Sequence, residues 1–564
     1  MISLKSIITA ALPAAFFFAS TVMPFAQAPD IGGALEQSAP PTRETPAKTP
    51  ETLIVVEQAP EALEMADGET LLVKAFRIEN SKEEDWRGLQ EMLAPLHFKD
   101  MTMADITAAV NMVTLYHREK GYMTARAYVP PQDASNGVLV IRVLFGEYGE
   151  IYVRNSSIIR SSFLRGMFEK NKKDSPVVER DRLERSMLLA RDMPGGGMPL
   201  VSIMSGEEPD TSDFIIEFDG SPRFGGYAMA NNQGSKYTGE YRVYGGIDVN
   251  SPLGFSDKFS ASYMTTDETN LKSYRFTYDF PLAYNGLRAE ASVARTDYEL
   301  GGAYSALGAT GSAYIVEVGI RYPVIKRQAE SMNFIAKGTF KRMSDDLDLG
   351  GIELLRPRNS TALTFALNRE AYNSLGGRGL FTKISGGFDM GNLNITDIIQ
   401  EVVDKAGANT AGAFVKLNLD AAAEIRLAGK LSLGGSAKFQ KILTGKNVDS
   451  TEQFFISGAG GVRAWTESVG FDNGYTVGAE LKYALPAAGG LRHSAILFMD
   501  SGCAWAVNGA YTMIEEFSLS DAGIGYSASW RQLFGAAHVA IPASRSLGIG
   551  NPGTRTLWQA GISW

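Results

Sequence analysis

The stretch FFISGAGGVRAWTESVGFDNGYTVGAELKYALP, from Phe454 to Pro486, decides how the rest of the chain is interpreted. It contains a glycine-rich run followed by VRAW at residues 462–465, and the segment FMDSG follows at residues 498–502. Arg463 and Asp500 are candidate partners, because inside a membrane barrel each charge is costly alone and tolerable as a pair. If the chain forms a pore, we expect this loop to fold inward and to lock it.

Composition is consistent with a membrane barrel and excludes several other classes. The 564 residues predict several domains, and 59 glycines with 10% aromatic residues suit strands that face lipid with alternate residues only. The net charge of −9 makes a nucleic-acid partner improbable. The single cysteine, Cys503, cannot form an intrachain disulfide, and the four histidines lack metal-ligand spacing. We therefore predict no metal site and no cofactor.

The N-terminus has the pattern of a secretory signal peptide over residues 1–28. Lys5 precedes the apolar stretch Ile7 to Phe25, and Ala26-Gln27-Ala28 fits a cleavage site. An uncleaved anchor is the alternative. Residues 29–69 are rich in proline, threonine and glutamate and predict an extended linker with a possible short plug helix near Gly33–Ser38. Export to the periplasm or the outer membrane is expected.

Two units of the order strand, helix, helix, strand, strand follow, at residues 70–147 and 148–221. In the first unit, we predict one strand over Leu71–Ile78 and a helix that begins at Thr102, where Asp105 completes a capping box. In the second unit, Ser175-Pro176 predicts the N-cap and first turn of its second helix. The period of about 75 residues indicates a repeat of whole domains.

Residues 222–564 predict about sixteen antiparallel strands of a transmembrane β-barrel. Tyr314, Val316, Val318, Ile320 and Tyr322 alternate with polar residues or glycine, as expected between lipid and a wet lumen. A soluble sandwich, with the apolar face on a core, is the alternative. The strands start near residues 223, 239, 258, 271, 287, 312, 333, 360, 377, 412, 431, 475, 493, 517, 535 and 557.

The amino-acid sequences of the two small domains carry a specific resemblance to a known family. HREKGYMTARAYVPPQDASNGVLVIRVLFGEYGEI, residues 117–151, resembles the first POTRA domain of the two-partner secretion transporters, the TpsB family of FhaC/ShlB/HecB-like haemolysin secretion/activation proteins. LARDMPGGGMPLVSIMSGEEPDTSDFIIEFD, residues 189–219, resembles the second. The resemblance to this branch of the BamA-related superfamily covers residues 70–564. It implies two periplasmic POTRA-type domains before an outer-membrane barrel.

The resemblance extends to the candidate site. The long connection at about residues 442–474 matches the inward loop of the superfamily, whose tip usually reads Val-Arg-Gly followed by Tyr or Phe. Here the loop-tip lock is Val462, Arg463, Ala464 and Trp465. The barrel-wall partner motif is Phe498, Asp500 and Gly502. Alanine replaces glycine at position 464, and it would be strained if that position needs a positive φ.

The last strand carries a separate signal. Trp558, Ala560, Ile562 and Trp564 share one face, and Trp564 is terminal. A terminal aromatic strand resembles the signal that the barrel assembly machinery reads. An edge strand that simply ends in an aromatic residue is the alternative.

The resemblance implies a pore that recognises an unfolded, TpsA-like exported protein through its POTRA domains and secretes it, possibly with activation. The expected partners also include outer-membrane lipid, and we expect a monomer. Alternatives are a barrel-assembly factor, a passive porin or a barrel enzyme, although His493 and His538 lack evident catalytic partners in the sequence. The Arg463–Asp500 pair could also be purely architectural. Gly548–Gly553 fits GxGxxG but predicts a turn, and Ser344–Asp348 predicts a solvated loop.

Overall fold

The computed structural model describes residues 30–39, 55–57, 70–268, 270–348, 353–458, 460–467, 469–487, 489–509, 515–544 and 552–564. Helix α1 (Ile31–Ser38) and strand β1 (Val55–Glu57) are the elements it describes before residue 70. The expected signal peptide, residues 1–28, lies outside the described residues, as do most of the expected linker and four residues of the GxGxxG segment.

The first small domain contains five strands and two helices: β2 (Thr70–Val73), β3 (Ala75–Glu79), α2 (Trp86–Leu93), β4 (Lys99–Thr102), α3 (Met103–Glu119), β5 (Arg126–Tyr128) and β6 (Val138–Leu144). The prediction of one strand over Leu71–Ile78 is wrong. The segment divides at Lys74 because β2 pairs with β4, whereas β3 pairs in parallel with β6. Helix α3 begins at Thr102, whose side chain and that of Asp105 form the expected capping box.

The second small domain contains β7 (Glu147–Asn155), α4 (Ser161–Asp174), α5 (Arg180–Arg191), β8 (Leu200–Ser205) and β9 (Thr211–Phe218). The prediction that Ser175-Pro176 begins the second helix is wrong: Ser175 ends α4, and Glu179 is the N-cap of α5. The residues between the helices pair with other strands instead, because Val177 bridges Glu147 and Glu179 bridges Tyr122 of the first domain. Strand β1 adds to the sheet in the order β1-β8-β9-β7.

The rest of the described chain closes into an antiparallel barrel of sixteen long strands, which confirms the predicted fold class. These are β10 (Phe224–Asn231), β11 (Arg242–Asn250), β12 (Lys258–Thr266), β13 (Leu271–Pro281), β14 (Arg288–Glu299), β15 (Thr310–Lys326), β16 (Glu330–Asp348), with a short addition β17 (Glu353–Leu355), β18 (Arg358–Leu375), β19 (Arg378–Ile395), β20 (Gly412–Ala428), β21 (Leu431–Ile442), β24 (Asn473–Ala484), β25 (Leu491–Trp505), β26 (Glu516–Trp530), β27 (Leu533–Pro542) and β28 (Arg555–Ser563). Strand β28 pairs with β10 and closes the ring. Each start lies within three residues of the expected one.

The acidic segment Ser344–Asp348 is not the solvated loop that we predicted. It is the end of β16, and the Asp345 side chain is buried on the lumen side. Asp345 forms an ion pair of 2.7 Å with Arg358 on the neighbouring strand. The alternation of the strand turns Asp345 towards the lumen, whereas Asp346 and Asp348 lie on the other face, which composition alone does not reveal.

Two segments occupy the lumen. Helix α1 lies against the inner faces of β13 to β16, where Ile31 and Ala34 are buried with Met264, Leu271 and Tyr298. The connection between β21 and β24, residues 443–472, folds inward from the extracellular end and is called the inward loop below. It contains the two short strands β22 (Phe454–Phe455) and β23 (Gly470–Phe471), which pair with each other. Helix α6 (Ile398–Ala406) lies in the connection that follows β19.

Among the described residues, no helix is long and apolar enough to cross a membrane.

Candidate functional site

The tip of the inward loop is a compact turn. The Gly458 amide donates to the Trp465 carbonyl at 2.7 Å, and the Val462 amide donates to the Ile456 carbonyl at 2.9 Å. Because the turn is closed by its own backbone, Arg463 projects from a fixed base. The structure therefore supplies a rigid support for one cation in the barrel.

The structure brings Arg463 and Asp500 together. The Arg463 Nε lies 2.9 Å from Asp500 Oδ2, and an Nη atom lies 2.5 Å from Glu480 Oε1. The guanidinium also lies over the Phe498 ring, 4.1 Å from its centroid. Planar guanidinium groups suit this combination of carboxylates and an aromatic face, which a lysine would not reproduce.

A third carboxylate belongs to the site. Asp521 on β26 lies directly opposite Asp500 in the register, and its Oδ2 accepts from the Ala464 amide at 2.5 Å. Sequence reasoning missed both Asp521 and Glu480. The signal was available, because each is an acidic residue in the interior of a barrel strand, as Asp500 is.

Glycines leave room for the site in the barrel wall. A side chain at Gly502 would meet Thr476 and lie 3.4 Å from Ile456 of the inward loop. A side chain at Gly478 would come within 2.9 Å of the Asp500 carboxylate, and one at Gly523 would collide with the Phe498 ring. The wall is therefore shaped to the loop tip, and Gly502 is one of three glycines involved.

The other tip residues form an apolar layer. Val462, Ala464 and Trp465 are buried with Phe498 and Ile496 of β25. Ala464 does not have a positive φ, so the alanine at this position is not strained. The Ala464 amide satisfies its hydrogen bond with Asp521 instead. Val462, Ala464 and Trp465 are thus shielded from solvent, whereas the side chains of Arg463 and Glu480 remain partly exposed.

A second ionic cluster attaches the first part of the inward loop to strands β16 and β20. Glu452 is buried and lies 2.7 Å from Lys341 Nζ on β16 and 2.9 Å from Lys416 Nζ on β20. Burial raises the pKa of the Glu452 carboxyl, but Lys416 and Lys341 lower it by more, so that its pKa is about 2. Asp449, three residues before Glu452 in the inward loop, forms an ion pair of 2.6 Å with Arg358.

Helix α1 is held by polar contacts at both ends. Asp30 accepts from the amides of Gly32 and Gly33 as an N-cap, and the Ile31 amide donates to Asp345 at 3.0 Å. Burial and the neighbouring Asp345 carboxylate raise the pKa of Asp30 to about 6. At the other end, the Gln37 carbonyl accepts from Arg242 at 2.9 Å and from Tyr244 at 3.2 Å.

The two tryptophans of the last strand lie at its outer face. Leu557, next to Trp558 in the strand, is buried, and Trp564, one residue after β28 ends, is about half exposed. The Trp564 backbone exchanges two hydrogen bonds of 3.1 Å with Gly226 of the first barrel strand. The terminal residue therefore takes part in closing the ring.

Within the described ranges, no group of three or more His, Cys, Asp or Glu residues is arranged to hold a metal ion. His493 does have partners, contrary to expectation: Tyr526 Oη at 2.9 Å and the Pro486 carbonyl at 3.0 Å. His538 packs edge-on against Phe498.

Comparison with known proteins decides the family. Residues 210–528 match the family model described as haemolysin secretion/activation protein ShlB/FhaC/HecB. The chain belongs to this family. Residues 71–146 match the POTRA domain of ShlB type, which confirms the resemblance seen in the first small domain.

Individual relatives agree with this assignment. The heme/hemopexin transporter protein HuxB of Haemophilus influenzae is 24% identical over 72% of this chain and 70% of its own length. The outer membrane transporter CdiB of Dickeya dadantii is 24% identical over 34% of each chain. Among solved structures, CdiB from Escherichia coli aligns with a TM-score of 0.70 at 18% identity, over 94% of this chain and 95% of that one. CdiB from Acinetobacter baumannii aligns at 0.63 and 16% identity, over 96% and 100%.

Family membership confirms the predicted function and location. The protein is an outer-membrane transporter of the two-partner secretion type, whose POTRA domains lie in the periplasm and whose cargo is a secreted partner protein. Members of the family are transporters, which favours the export prediction over the barrel-assembly, porin and enzyme alternatives.

Proposed function

We propose that the POTRA-type domains bind the exported partner in extended form, and that this binding releases the segment that fills the pore. The observation that carries the proposal is the position of one continuous segment. Strand β1 occupies the edge of the second POTRA sheet, and helix α1, seventeen residues earlier in the chain, occupies the lumen. Displacing the strand frees the helix to leave.

The sheet edge suits such an exchange. Strand β1 pairs in parallel with β8 in the register Val55 to Val201, Val56 to Ser202 and Glu57 to Ile203. An added strand of the partner would make the same backbone hydrogen bonds, which give affinity without requiring a particular sequence. The described part of β1 covers three residues, and a longer partner segment would form more of these bonds and displace it.

The helix is suited to reversible release. Its contacts at the C-terminal end are hydrogen bonds from Arg242, Tyr244 and Thr238 to Gln37. At its N-terminal end, burial first and the Asp345 carboxylate second raise the pKa of Asp30 to about 6. Burial of this carboxyl is unfavourable for its charged form, so its return to water lowers the free energy needed to remove the helix.

The inward loop would act as the second element of the pore. Arg463 holds its tip against Asp500 and Glu480 on the wall, and Phe498 and Gly502 shape the surface that receives it. The partner would thread the lumen and fold outside. The proposal invokes neither ATP nor a metal ion, since the transport step would draw on folding of the partner at the surface.

We also propose that the protein works as a monomer in outer-membrane lipid and that the barrel assembly machinery reads its last strand. Outward-facing apolar residues such as Val318, Leu497 and Met499 are exposed on the barrel wall, as lipid contact requires. Trp558 and Trp564 share the outer face of β28, where an assembly factor could reach them before the ring closes.

A disulfide between β1 and β8 tests the exchange. Val56→Cys and Ser202→Cys are paired in the register, and the background variant Cys503→Ser removes the native thiol. Under oxidising conditions we expect secretion of the partner to stop, and reductant to restore it; Val56→Cys alone is the matched control. Normal secretion by a population that is mostly cross-linked would contradict the proposal.

A further inference from the structure

The outer wall of the barrel carries a row of tyrosines and arginines. Tyr274, Arg295, Tyr314, Arg342 and Asn359 lie side by side on five neighbouring strands, each directly opposite the next in the register. They face outward, because Ala294, Ala313 and Met343, next to them in sequence, are buried on the lumen side.

The row lies at the extracellular border of the apolar band. The chain enters the barrel from the POTRA domains at β10, so β14 and β16 run outward and their last residues are extracellular. Below the row, Val293, Val318 and Phe340 are exposed and apolar. Above it, Asp297, Ser312 and Ser344 are polar. This border is the level of the lipid headgroups in the outer leaflet.

A cavity of about 730 Å³ opens at this row. Its lining includes Arg295, Arg342, Tyr314, Ser312, Asn359 and Thr396. Arg342 is exposed and forms no ion pair with any residue that the structure describes. Arg295 forms an ion pair of 2.9 Å with Asp297, and the side chains of both residues are solvent-accessible. Two guanidinium groups surrounded by hydroxyl and amide groups fit a phosphate ester.

The neighbouring helix supports a lipid rather than a soluble anion. Helix α6 begins two residues after Thr396 and exposes Ile398, Ile399 and Val402 to solvent. An apolar helix face beside a basic cavity at headgroup level is the arrangement of a segment that lies in a membrane surface. A site for free phosphate would not need this apolar neighbour.

We propose that this cavity binds the phosphorylated headgroup of an outer-leaflet glycolipid of the lipid A class. Arg295 and Arg342 contact its phosphates, and Tyr314 packs against the sugar. The apolar face of α6 lies among the acyl chains. Such a lipid would fix the wall from β14 to β19 in the membrane, on the side of the barrel against which α1 packs.

Binding of lipid A to the full-length protein in detergent micelles tests the site. Bis-phosphorylated lipid A is titrated against wild type and against Arg295→Ala/Arg342→Ala, with bound lipid counted by native mass spectrometry. We expect the double variant to bind about 30-fold more weakly, since each arginine near an anionic lipid is worth about fivefold. The matched control is Arg378→Ala, an exposed arginine at the periplasmic end of the same wall.

The lipid itself supplies a second test that needs no variant. Dephosphorylated lipid A should bind wild type as weakly as the double variant binds the intact lipid. Equal binding of the two lipids, or equal binding by wild type and the double variant, would overturn the proposal. Displacement of lipid A by millimolar inorganic phosphate would also overturn it, because the cavity would then be a site for the free anion.

Discussion

Two of the ionic attachments of the inward loop to the barrel differ in charge balance. At its tip, Arg463 meets the carboxylates of Glu480 and Asp500, with Asp521 beside them, and Lys482 also pairs with Glu480 at 3.0 Å, so that carboxylates outnumber cations. At its base, one carboxylate, Glu452, meets two lysines. We call these the tip cluster and the base cluster.

The difference shows which residue each attachment depends on. In each cluster, one residue carries a charge that is outnumbered by charges of the opposite sign. Removing that residue leaves the remaining like charges close together and partly buried, which lowers the free energy of unfolding. Removing one of the majority charges leaves the minority residue still paired. The tip should therefore depend on Arg463 and the base on Glu452, although one is a cation and the other an anion.

Glu452→Gln should have the largest effect on stability. It removes the only carboxylate that the described residues place within 4 Å of Lys341 Nζ and leaves Lys416 with Asp389 alone, at 3.9 Å, and removing one partner of a buried pair costs about 3–5 kcal/mol. The measurement is the free energy of unfolding of the barrel in urea. Glu370→Gln, in an exposed pair with Lys383, is the matched control and should cost less than about 1 kcal/mol. Equal effects of the two substitutions would break the comparison.

Lys341→Met should cost less than Glu452→Gln. Lys416 still lies 2.9 Å from the Glu452 carboxylate, and methionine retains most of the apolar volume of the lysine stem. We expect about 1–2 kcal/mol in the same urea assay, the value of one hydrogen bond to a charged group. A loss as large as that of Glu452→Gln would show that both lysines are needed and that charge balance is not the controlling factor.

Asp500→Asn should have a smaller effect again. It removes one carboxylate from an excess of carboxylates, and Arg463 keeps its contact with Glu480. We expect less than about 1 kcal/mol, because relief of repulsion between Asp500 and Asp521 offsets the weaker pair. The check is reaction of a Ser457→Cys thiol in the loop with a bulky maleimide, in the Cys503→Ser background. Rapid labelling in the Asp500→Asn variant would instead show that Asp500 is the main residue that holds the loop tip against the barrel wall.

The base cluster should be almost insensitive to mild acid. The pKa of Glu452 is lowered to about 2 from an ordinary 4.5, so its contribution is fully present above pH 4.5. It is lost as the pH falls from about 4.5 towards 2. The labelling rate of a thiol placed at Thr451, again in the Cys503→Ser background, divided by the rate of an exposed thiol placed at Ser374 at the same pH, should stay constant from pH 7.5 to 5. The division removes the fall in thiolate population that slows both reactions in acid. Increased labelling within that range would contradict the assigned pKa.

Local patterns in the sequence account for most of the fold and half of the site. The alternation of apolar and polar residues predicted all sixteen strands, because this two-residue period can be seen within each strand alone. Arg463 and Asp500 could be paired because each sits in a recognisable local motif. Glu452, Lys341 and Lys416 lie on three separated elements, and their proximity depends on how the loop enters the lumen.

The wrong predictions have the same cause. Ser344–Asp348 reads as a loop by composition, yet the partner that makes Asp345 tolerable inside the barrel is Arg358 on the next strand. Ser175-Pro176 fits a helix start locally, but the residues that follow pair with Glu147 and Tyr122. In each case a contact distant in sequence overrode the local preference.

Secretion by Arg463→Ala tests the central claim most directly. The partner protein in the medium is compared between cells with the wild-type gene, cells lacking it, and cells with Arg463→Ala or, as a control of equal charge change, Arg378→Ala. We predict that the deletion abolishes secretion of one large protein, and that Arg463→Ala reduces it severely while folded barrel levels stay unchanged. Normal secretion by Arg463→Ala would contradict the account and leave the Arg463–Asp500 pair a purely architectural contact.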